Sequence, residues 1–567
     1  MKMLRRFVRW LSSDSATYAF MLSWLGANAW AVWSMFRLYC YGEQYYYLHR
    51  MLGLGLCVSR ASAAALNLNC SLILLPILRG VLSTLRGAVR VTSKSTRRLL
   101  DRSKAFHIAC GSAIMIFTGI HCAAHMVNAW NFSIRYDEEH PTINLARYRY
   151  EDPRKLLLTT VPGITGILMV VVLFLIATSS SRHIRLVSYN VFWYTHNLYI
   201  VFYVLLLSHA SGGALKIQTN VKDHIPGCIP PSGHANVSIH WAGVPRPYHE
   251  SHRADPPSVC RAEPRFRTQL PESWMWVLLP LCIYCGERLM RCVRGGKTAN
   301  VTSVRNLPGG VIEVALQRPG FSARAGQYVF LQCPEISTFE SHPFTLTQCP
   351  VDEKGCFMVH LRVLGDWTAS LQNLLISGVG SSGEVLPFFQ QNNFPRLYVD
   401  GPFGGPTEEI FNYEIGLCIA GGIGVTPFVA VLRTLMYDWK PFCLSRLYLV
   451  WMCRDISHFT WFADLLASFN DKLWRDNRPD YLTIRLFLTG GGKSEMIGAN
   501  QTMLNARLKL GRPDWPTIFH DVAMCNRRKT VGVFCCAPKG VSRTLRRLCN
   551  APNKFGTHFE LNKESFG

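Results

Sequence analysis

Four histidines lie inside two apolar stretches of the chain, and their spacing suits iron binding. His107 and His121 are fourteen residues apart, so on an ideal helix they lie within about 40° of the same face and roughly 21 Å apart. His196 and His209 lie in a second stretch that would run in the same direction. Neutral imidazole is a common ligand of haem iron, so one haem would lie between His107 and His196 and another between His121 and His209. The alternative is a proton relay, or simple hydrogen bonding within a helix bundle.

The second pair of histidines does not fit an ideal helix. The thirteen residues between His196 and His209 turn such a helix by about 220° beyond whole turns, so the two rings would not share a face. We expect this helix to twist, to kink or to approach its haems from different sides.

Three further side chains in these stretches are candidates for chemistry. Arg60 needs a counter-ion in so apolar a setting, and a haem propionate or Glu287 would serve. His125 lies one turn beyond the second histidine of the first pair, and we interpret it as a pocket residue. Phe202 lies midway along the second pair, where it would suit electron tunnelling, although ordinary packing is the simpler interpretation.

The elements that must position these side chains are membrane spans. Of the 567 residues 49% are hydrophobic, which argues against a disordered chain in spite of a net charge of +24. Basic residues lie where membrane topology already requires them, so a nucleic-acid partner is not expected. Six apolar stretches, all in the first half, are long enough to cross a bilayer: about 16–36, 52–78, 105–130, 156–178, 191–210 and 274–293.

Charge sets the predicted topology. The strongly basic loop at 79–104 indicates that this loop and both termini are cytoplasmic. The loop at 211–273 then lies in the lumen or outside the cell, where Cys228 and Cys260 are expected to form a disulfide. Asn236 would be the better glycosylation site there, since Asn131 is too close to its span. The resident membrane would be the endoplasmic reticulum, the plasma membrane or both.

From about residue 298 the pattern changes to short β-rich runs, which predicts a small antiparallel barrel. One of these runs places an aromatic ring before hydroxyl groups, an order that can cover a flavin ring and bond its polar edge. His360 and Arg362 on the next strand would hold a pyrophosphate. The predicted flavin-binding residues of the first run are His342, Pro343, Phe344, Thr345, Leu346 and Thr347.

Beyond about residue 400 strands and helices alternate, which predicts an α/β domain. Arg454 and Arg512 follow later strands and could grip a ribose 2′-phosphate, although either could equally be a solvated surface arginine. Cys536 ends the last buried strand and lies either near a nicotinamide or inside the core as an inert thiol. A glycine-rich turn after the first strand is suited to a phosphate: Gly421, Gly422, Ile423, Gly424, Val425, Thr426 and Pro427.

Together these motifs resemble the NADPH oxidase family. The likeness covers nearly the whole chain and lies in HPFTLT, HLRVLGDWT, DGPFG, GGIGVTPF and NKESF, behind spans that carry the four histidines. The resemblance implies a multi-domain membrane protein, in which an all-α six-helix transmembrane haem bundle (1–294) precedes a ferredoxin-reductase-like β-barrel FAD domain (295–405) and an α/β NADPH-binding domain (406–567). It implies electron flow from cytosolic NADPH through FAD and two haem b groups to molecular oxygen, giving mainly hydrogen peroxide by way of superoxide.

The resemblance also implies roles for single residues. Arg60 and His125 match positions near the outer haem, where a cation attracts superoxide and a histidine bonds oxygen or donates a proton. His224 would assist protonation of superoxide that the long lumenal loop retains, and Phe566 would stack on the flavin. The implied membrane partner is the cytochrome b light chain, and cytosolic activator subunits would not be required.

Two departures and two rival functions remain at this point. Ala537 replaces the glycine of the family's CGP motif, and the basic start MKMLRRFVRW is unlike that of the family members it otherwise resembles. A ferric-chelate reductase would use the same electron path for another acceptor. A non-enzymatic proton-conducting protein would use the histidines as a relay and would lack a haem Soret band.

Overall fold

The computed structural model describes residues 15–89, 94–209, 211, 213–226, 228, 260–351, 353–377, 394–438, 440–491 and 496–564. Contacts within the chain divide it into two compact units. The helical unit comprises Ala19–Leu78 and Arg102–Gly286. The barrel unit comprises the other described residues, among them Arg79–Asp101 and those from Glu287 onward.

Helices dominate the chain before residue 296. In chain order they are α1 (Ser15–Tyr41), α2 (Tyr46–Leu52), α3 (Leu54–Leu72), α4 (Arg79–Val89), α5 (Lys94–Asp101), α6 (Ser103–Ile134), α7 (Pro153–Thr159), α8 (Val161–Ser179), α9 (Arg182–Val187), α10 (Tyr189–His196), α11 (Tyr199–His209) and α12 (Ser273–Gly295). A capping side chain sets the start of four of the described helices, α7, α8, α9 and α10. At α8, for example, the Thr160 hydroxyl accepts a hydrogen bond from the Gly163 N–H at 3.3 Å, and Pro162 occupies the first turn.

The six predicted spans all fall on helices, but they are not equally apolar. The helices α1 and α12 are 27 and 23 residues long. The C-terminal part of α12 is charged because it carries Glu287, Arg288 and Arg291. Among the described residues, four stretches are long and apolar enough to cross a membrane: Leu54–Ile77, Ser103–Ile134, Val161–Ser179 and Tyr189–His209.

The fifth of the predicted spans is two helices rather than one. The helix α10 ends at His196 and α11 begins at Tyr199. Between them the Leu198 N–H bonds the Thr195 carbonyl, three residues back instead of four, at 3.2 Å. The chain is therefore tightened at this point, which changes the rotation between the two histidines of this span. Of the three ways expected to accommodate their spacing, a twist, a kink or an approach from different sides, the structure shows an interruption of the helix between the two histidines.

Two disulfides lie in the helical unit. The predicted bond between Cys228 and Cys260 is confirmed, and a second bond joins Cys40 to Cys57. Near the first bond, strand β1 (Lys216–Gln218) pairs with β2 (Phe266–Thr268) in an antiparallel ribbon. Asn236 lies outside the described residues. Asn131 is buried in α6 and donates a hydrogen bond to the Leu52 carbonyl at 2.8 Å, so this amide is not available for glycosylation.

Six antiparallel strands form the predicted barrel, and it is closed. Its interior is a continuous apolar cluster that includes Val314, Leu331 and Val359. The helix α13 (Asp366–Ser377) follows the fifth of these strands. In chain order the strands are β3 (Thr298–Leu307), β4 (Val311–Gln317), β5 (Tyr328–Gln332), β6 (His342–Gln348), β7 (Cys356–Arg362) and β8 (Leu397–Phe403), and their order around the barrel is β3-β4-β7-β6-β5-β8.

The predicted α/β domain is a six-stranded parallel sheet with the order β12-β11-β10-β9-β13-β14. Its strands are β9 (Ile415–Gly421), β10 (Arg446–Cys453), β11 (Leu482–Leu488), β12 (Leu508–Leu510), β13 (Thr530–Cys536) and β14 (His558–Lys563), and its helices are α14 (Thr426–Tyr437), α15 (Ala463–Arg475), α16 (Thr502–Asn505), α17 (Trp515–Cys525) and α18 (Lys539–Cys549). The order reverses direction between β9 and β13. A crevice at the carboxyl ends of these two strands is the expected ligand site of such a sheet.

The basic segment that contains α4 and α5 belongs to the barrel unit. The Ser83 hydroxyl accepts a hydrogen bond from the Gly404 N–H, just after β8, at 3.0 Å. The Arg86 guanidinium pairs with Asp101 within the segment and with Glu409, 3.5 Å away, in the remainder of the unit. This segment is therefore fixed beside the barrel by polar contacts.

Candidate functional site

The four span histidines form two facing pairs in the helical unit. The ring centres of His107 and His196 are 6.2 Å apart, and those of His121 and His209 are 6.4 Å apart. Two imidazoles that share one metal ion through bonds of about 2.0 to 2.1 Å would have ring centres about 6.3 Å apart. Each pair therefore has the separation that a single iron between its rings requires.

Hydrogen bonds fix which nitrogen of each ring faces the partner. In every one of the four rings Nδ1 is engaged. Thr165, for example, donates its hydroxyl hydrogen to the Val161 carbonyl at 2.6 Å, so its oxygen accepts from Nδ1–H of His209. The four Nδ1 contacts are His107 to the Ile73 carbonyl at 3.0 Å, His121 to the Ser59 carbonyl at 3.0 Å, His196 to the Ser180 hydroxyl at 3.2 Å and His209 to the Thr165 hydroxyl at 2.9 Å.

A proton on Nδ1 leaves the Nε2 lone pair of a neutral imidazole for a metal. This pattern, in which the second nitrogen donates to a carbonyl or hydroxyl, orients metal-binding histidines generally. The residues present thus fit two bis-histidine haems. A proton relay would need Nδ1 and Nε2 to exchange partners, but here Nδ1 faces acceptors that lie in α3 and α8 or directly at their ends.

The three other candidates of this unit lie around the pairs. His125 packs edge-on against the ring of His121, with the ring centres 4.5 Å apart. The guanidinium of Arg60 lies over the ring of Tyr39 at 5.2 Å, and its Nε makes no hydrogen bond within the described part of the chain. Phe202 packs with the edge of Tyr203 in an apolar cluster, which is the simpler of the two interpretations of this residue.

The predicted flavin residues occupy β6 of the barrel. The ring of His342 lies 4.4 Å from that of Trp367, and Phe344 stacks on the same indole at 6.1 Å. Pro343 is exposed, whereas Thr345, Leu346 and Thr347 are buried. The indole of Trp367 was not singled out from the sequence, although GDWT belongs to the motifs that carry the resemblance.

The two residues predicted to hold a pyrophosphate have different surroundings. The side chain of His360 is fully buried, with its Nδ1 2.9 Å from the Thr347 hydroxyl and its Nε2 3.2 Å from the Glu313 carboxylate. Burial lowers the pKa of His360, and the adjacent His360 in turn holds the pKa of Glu313 below its usual value. Arg362 is exposed. Of the two, Arg362 is the one that an anion could reach.

The predicted nucleotide residues meet at one edge of the parallel sheet. The turn from Gly421 to Val425 begins at the last residue of β9, and Cys536 ends the neighbouring strand β13. A Cβ built on Gly421 would lie 3.0 Å from Pro538 and 3.4 Å from Ala537, so the loop lies directly against that strand end. The Gly422 carbonyl accepts a hydrogen bond from the indole of Trp451 at 3.0 Å.

The remaining nucleotide candidates follow from the strand order. Arg454 comes directly after β10, Arg512 comes shortly after β12, and both are exposed at the same edge. Cys536 is 8% exposed, and burial raises the pKa of its thiol. It is thus a buried, uncharged thiol at the end of β13, and its proximity to a nicotinamide stays a prediction.

Comparison with known proteins assigns the family. The family described as "Ferric reductase like transmembrane component" matches residues 60–207, "FAD-binding domain" matches 297–407 and "Ferric reductase NAD binding domain" matches 413–550. The chain is 52% identical to NADPH oxidase 4 of Mus musculus over 570 residues, which cover 98% of this chain and 99% of that one. The chain belongs to the NADPH oxidase family.

Other members of the NADPH oxidase family match over the same length. NADPH oxidase 4 of Homo sapiens is 51% identical over 574 residues, and NADPH oxidase 3 of Homo sapiens is 34% identical over 590 residues. Each of these matches covers 98% of this chain and 99% of the relative.

Glu564 is a buried acid that the sequence did not single out in this NADPH oxidase. It follows β14, and its carboxylate accepts hydrogen bonds from the N–H of Thr407 at 2.8 Å and from the hydroxyl of Thr407 at 2.6 Å. Burial raises its pKa to about 7. The only sequence signal for it is its place in NKESF, a motif whose predicted flavin-stacking residue, Phe566, lies outside the described residues.

Proposed function

We propose that this protein is a transmembrane NADPH oxidase that passes electrons from NADPH to molecular oxygen and releases mainly hydrogen peroxide, formed from superoxide. The proposal rests on the two pairs of facing histidines. Their ring centres are 6.2 and 6.4 Å apart, and Nδ1 is hydrogen-bonded in every ring. When bound, FAD would supply the conversion of a two-electron hydride into single electrons, and two haem b groups held by the histidine pairs would supply the path across the membrane.

At the nicotinamide end the chain binds and orients NADPH. The turn of Gly421–Val425 presents backbone N–H groups at the start of α14, where a phosphate is favoured, while Arg454 and Arg512 are free to reach a ribose 2′-phosphate. The exposed Arg362 is available to the flavin pyrophosphate, and the indole of Trp367 supports the strand that carries His342.

At the oxygen end the chain supplies a cation and a histidine. Arg60 lies in the apolar helix α3, so its charge is weakly screened there and attracts superoxide. His125, beside His121, bonds oxygen or donates a proton to it. The lumenal loop, with His224 at its base, retains superoxide long enough for conversion to peroxide.

The protein works with both termini in the cytoplasm, in the endoplasmic reticulum or the plasma membrane, together with the cytochrome b light chain. The cytoplasmic orientation is supported by the position of the basic segment, since α4 and α5 belong to the same unit as the barrel. Cytosolic activator subunits are not required.

The first test is NADPH-dependent oxygen uptake by the purified full chain with the light chain and added FAD, with superoxide and peroxide measured separately and the haem spectrum recorded. We expect a bis-histidine haem spectrum and peroxide. Haem that NADPH reduces without oxygen uptake would instead identify a ferric-chelate reductase, and absence of haem would reject both.

A matched pair of variants makes this test specific. His209→Ala should lose the outer haem and oxygen uptake, because one of its two ligands is gone. His183→Ala removes an exposed histidine on α9 and should leave both haems in place.

A further inference from the structure

A cavity of about 720 Å³ lies in the barrel unit, between the barrel and the parallel-sheet domain. The barrel contributes the loop before β5 and the end of β6, with Gln348 and Cys349. The parallel-sheet domain contributes the second half of α14, with Arg433, and the loop before β10, with Phe442. A cavity of this volume is typical of a site for a small organic molecule.

The cavity and the nucleotide crevice lie at opposite edges of the parallel sheet. Phe442 precedes β10 and so lies at the amino end of that strand, whereas Gly421 and Cys536 lie at carboxyl ends. Arg433 lies seven residues beyond Thr426, where α14 begins, which is about 10 Å along the helix axis. The described residues that line the cavity include none that we assign to flavin or NADPH.

Arg433 brings a cation into this cavity without a carboxylate to balance it. Its Nη1 donates a hydrogen bond to the side-chain oxygen of Gln348 at 2.7 Å and lies 3.1 Å from the sulfur of Met358. Its Nε and Nη2 make no hydrogen bond, and it forms no ion pair, within the described part of the chain. Glu313 attracts this charge from a distance, but its carboxylate faces His360 at 3.2 Å. The edge formed by Nε and Nη2 is therefore available to an oxyanion, which it can bind through two parallel hydrogen bonds.

The other polar groups of the cavity do not compete for this guanidinium. Glu408, the one carboxylate among the described lining residues, accepts a hydrogen bond from Gln327 at 2.9 Å, and Arg324 adds a second positive charge. Burial raises the pKa of Cys349 to about 12, so its thiol is uncharged. Burial also lowers the pKa of Arg433, but an arginine stays protonated in proteins. A bound anion would thus compensate the hydration that this cation has lost.

The rest of the wall is apolar and partly aromatic. The rings of Phe411 and Phe442 have their centres 4.3 Å apart and their planes inclined by 33°. Leu465, on α15, adds aliphatic surface, and the exposed Met436 and Tyr437 end α14 beside it. A flat ring system can pack against such phenylalanine rings and bury a large apolar area.

We propose that this cavity binds an aromatic carboxylate, whose oxygens pair with Nε and Nη2 of Arg433 and whose rings pack against Phe411 and Phe442. Such a ligand contacts the barrel through β6 and the loop before β5, and the parallel-sheet domain through α14, so it stabilises the contact between them. This inference goes beyond the proposed function and does not depend on it, since neither haem, flavin nor oxygen takes part.

The test measures binding of 2-naphthoate to the full chain, loaded with FAD and haem in lipid nanodiscs, by ligand-observed NMR with protein-free nanodiscs as the blank. The uncharged 2-naphthamide has the same rings and serves as the comparison. We expect 2-naphthoate to bind saturably with a Kd below about 1 mM. The amide should bind at least about tenfold more weakly, because the charge-assisted hydrogen bonds are lost. A wild-type protein that binds the two probes equally, or neither, would overturn the proposal.

Arg433→Met tests the cation. It should bring the Kd of 2-naphthoate to within about threefold of that of the amide and leave the Kd of the amide nearly unchanged, a pattern that collapse of the cavity would not give. Arg475→Met, which removes an exposed arginine on α15, is the matched control and should keep the wild-type preference. A preference for 2-naphthoate that survives Arg433→Met would overturn the proposal. If Arg433→Met binds neither probe, Arg433→Lys decides: a preference for the carboxylate supports the site, and equal binding of the two probes rejects it.

Two further measurements define the place and the class of the ligand. Ala323→Phe adds a ring to the wall of the cavity and should weaken both probes by at least about tenfold, so unchanged binding would contradict this location. Octanoate carries its carboxylate on a flexible chain and should bind more weakly than 2-naphthoate, because the ring contacts are absent and the chain must be ordered. Tighter binding of octanoate would overturn the aromatic class and indicate a fatty acid.

Discussion

The carbonyl oxygen of Cys536 fills the space where a side chain at Gly424 would begin. A Cβ built on this glycine would lie 2.2 Å from that oxygen and 3.0 Å from the Cys536 sulfur. The turn after β9 and the end of β13 can therefore approach each other only because residue 424 is glycine. This approach shapes the crevice in which the nicotinamide is expected.

Gly424→Ala should open this crevice and impair NADPH use. Because the clash is with backbone, we expect the α/β domain to lose roughly 2 to 4 kcal/mol of stability, or the barrier to flavin reduction by NADPH to rise by a comparable amount. The rate of NADPH-dependent flavin reduction measures the loss of function. The haem content shows that the helical unit is intact. Gly540→Ala, where a Cβ meets nothing within 4 Å, is the control. Equal rates in the two variants would contradict the prediction.

Thr165→Val should weaken the outer haem alone. Valine has the shape of threonine but cannot accept the Nδ1–H of His209, and loss of such an orienting partner typically costs about 10- to 100-fold in metal affinity or activity. Haem titration and a redox titration of the purified chain would detect one altered haem of two. Thr159→Val, whose exposed hydroxyl bonds the Lys155 carbonyl at 2.7 Å, should change neither.

Glu564→Gln should alter the dependence of stability on pH. Burial raises the pKa of this carboxyl from 4.5 to about 7, so the folded state holds a proton that the unfolded state releases. The stabilisation is complete below about pH 4.5 and is lost as pH rises through about 7. The neutral glutamine removes this loss and should stabilise the barrel unit by up to about 3 kcal/mol at higher pH.

Thermal release of flavin, followed against pH, measures the effect of Glu564→Gln. The wild-type curve should fall across the window from about 4.5 to 7 more steeply than that of the variant. Glu353→Gln, at an exposed position, is the control and should follow the wild type. Parallel curves for all three proteins would rule out a protonated Glu564.

Cys40→Ser should destabilise the helical unit. The bond from Cys40 to Cys57 closes a loop of 17 residues, and its loss would cost about 3 kcal/mol in chain entropy. Peptide mapping without reductant should recover the two cysteines in one linked species. Cys443→Ser, which removes an exposed free thiol, should leave stability unchanged. Recovery of unlinked Cys40 and Cys57 would refute the bond.

Much of the architecture could be predicted because it depends on local patterns. The apolar stretches predicted the helices, and the short β-rich runs predicted the barrel. The alternation of strands and helices after residue 400 predicted the α/β domain. The pairing of His107 with His196 could be anticipated because the chemistry of imidazole and the direction of the spans restrict the choices. In each case residue type and spacing carried the information.

The details that escaped prediction depend on contacts between distant residues. Thr407 and Glu564 are 157 positions apart in the sequence, so no local pattern predicts the hydrogen bond between them. The disulfide of Cys40 was missed for a related reason: its partner lies inside the next apolar helix, where a cysteine resembles any small buried residue.

The junction at Asn197 and Leu198 affects how the electron path through the two haems can change during evolution. Since α10 ends at His196 and α11 carries His209, these two iron ligands lie on separate helices, whereas His107 and His121 share α6. A substitution that rotates one helix need not re-aim the other ligand. Small sequence changes in this span can therefore alter the midpoint potential of one haem and leave that of the other unchanged, which changes the driving force for electron transfer between them.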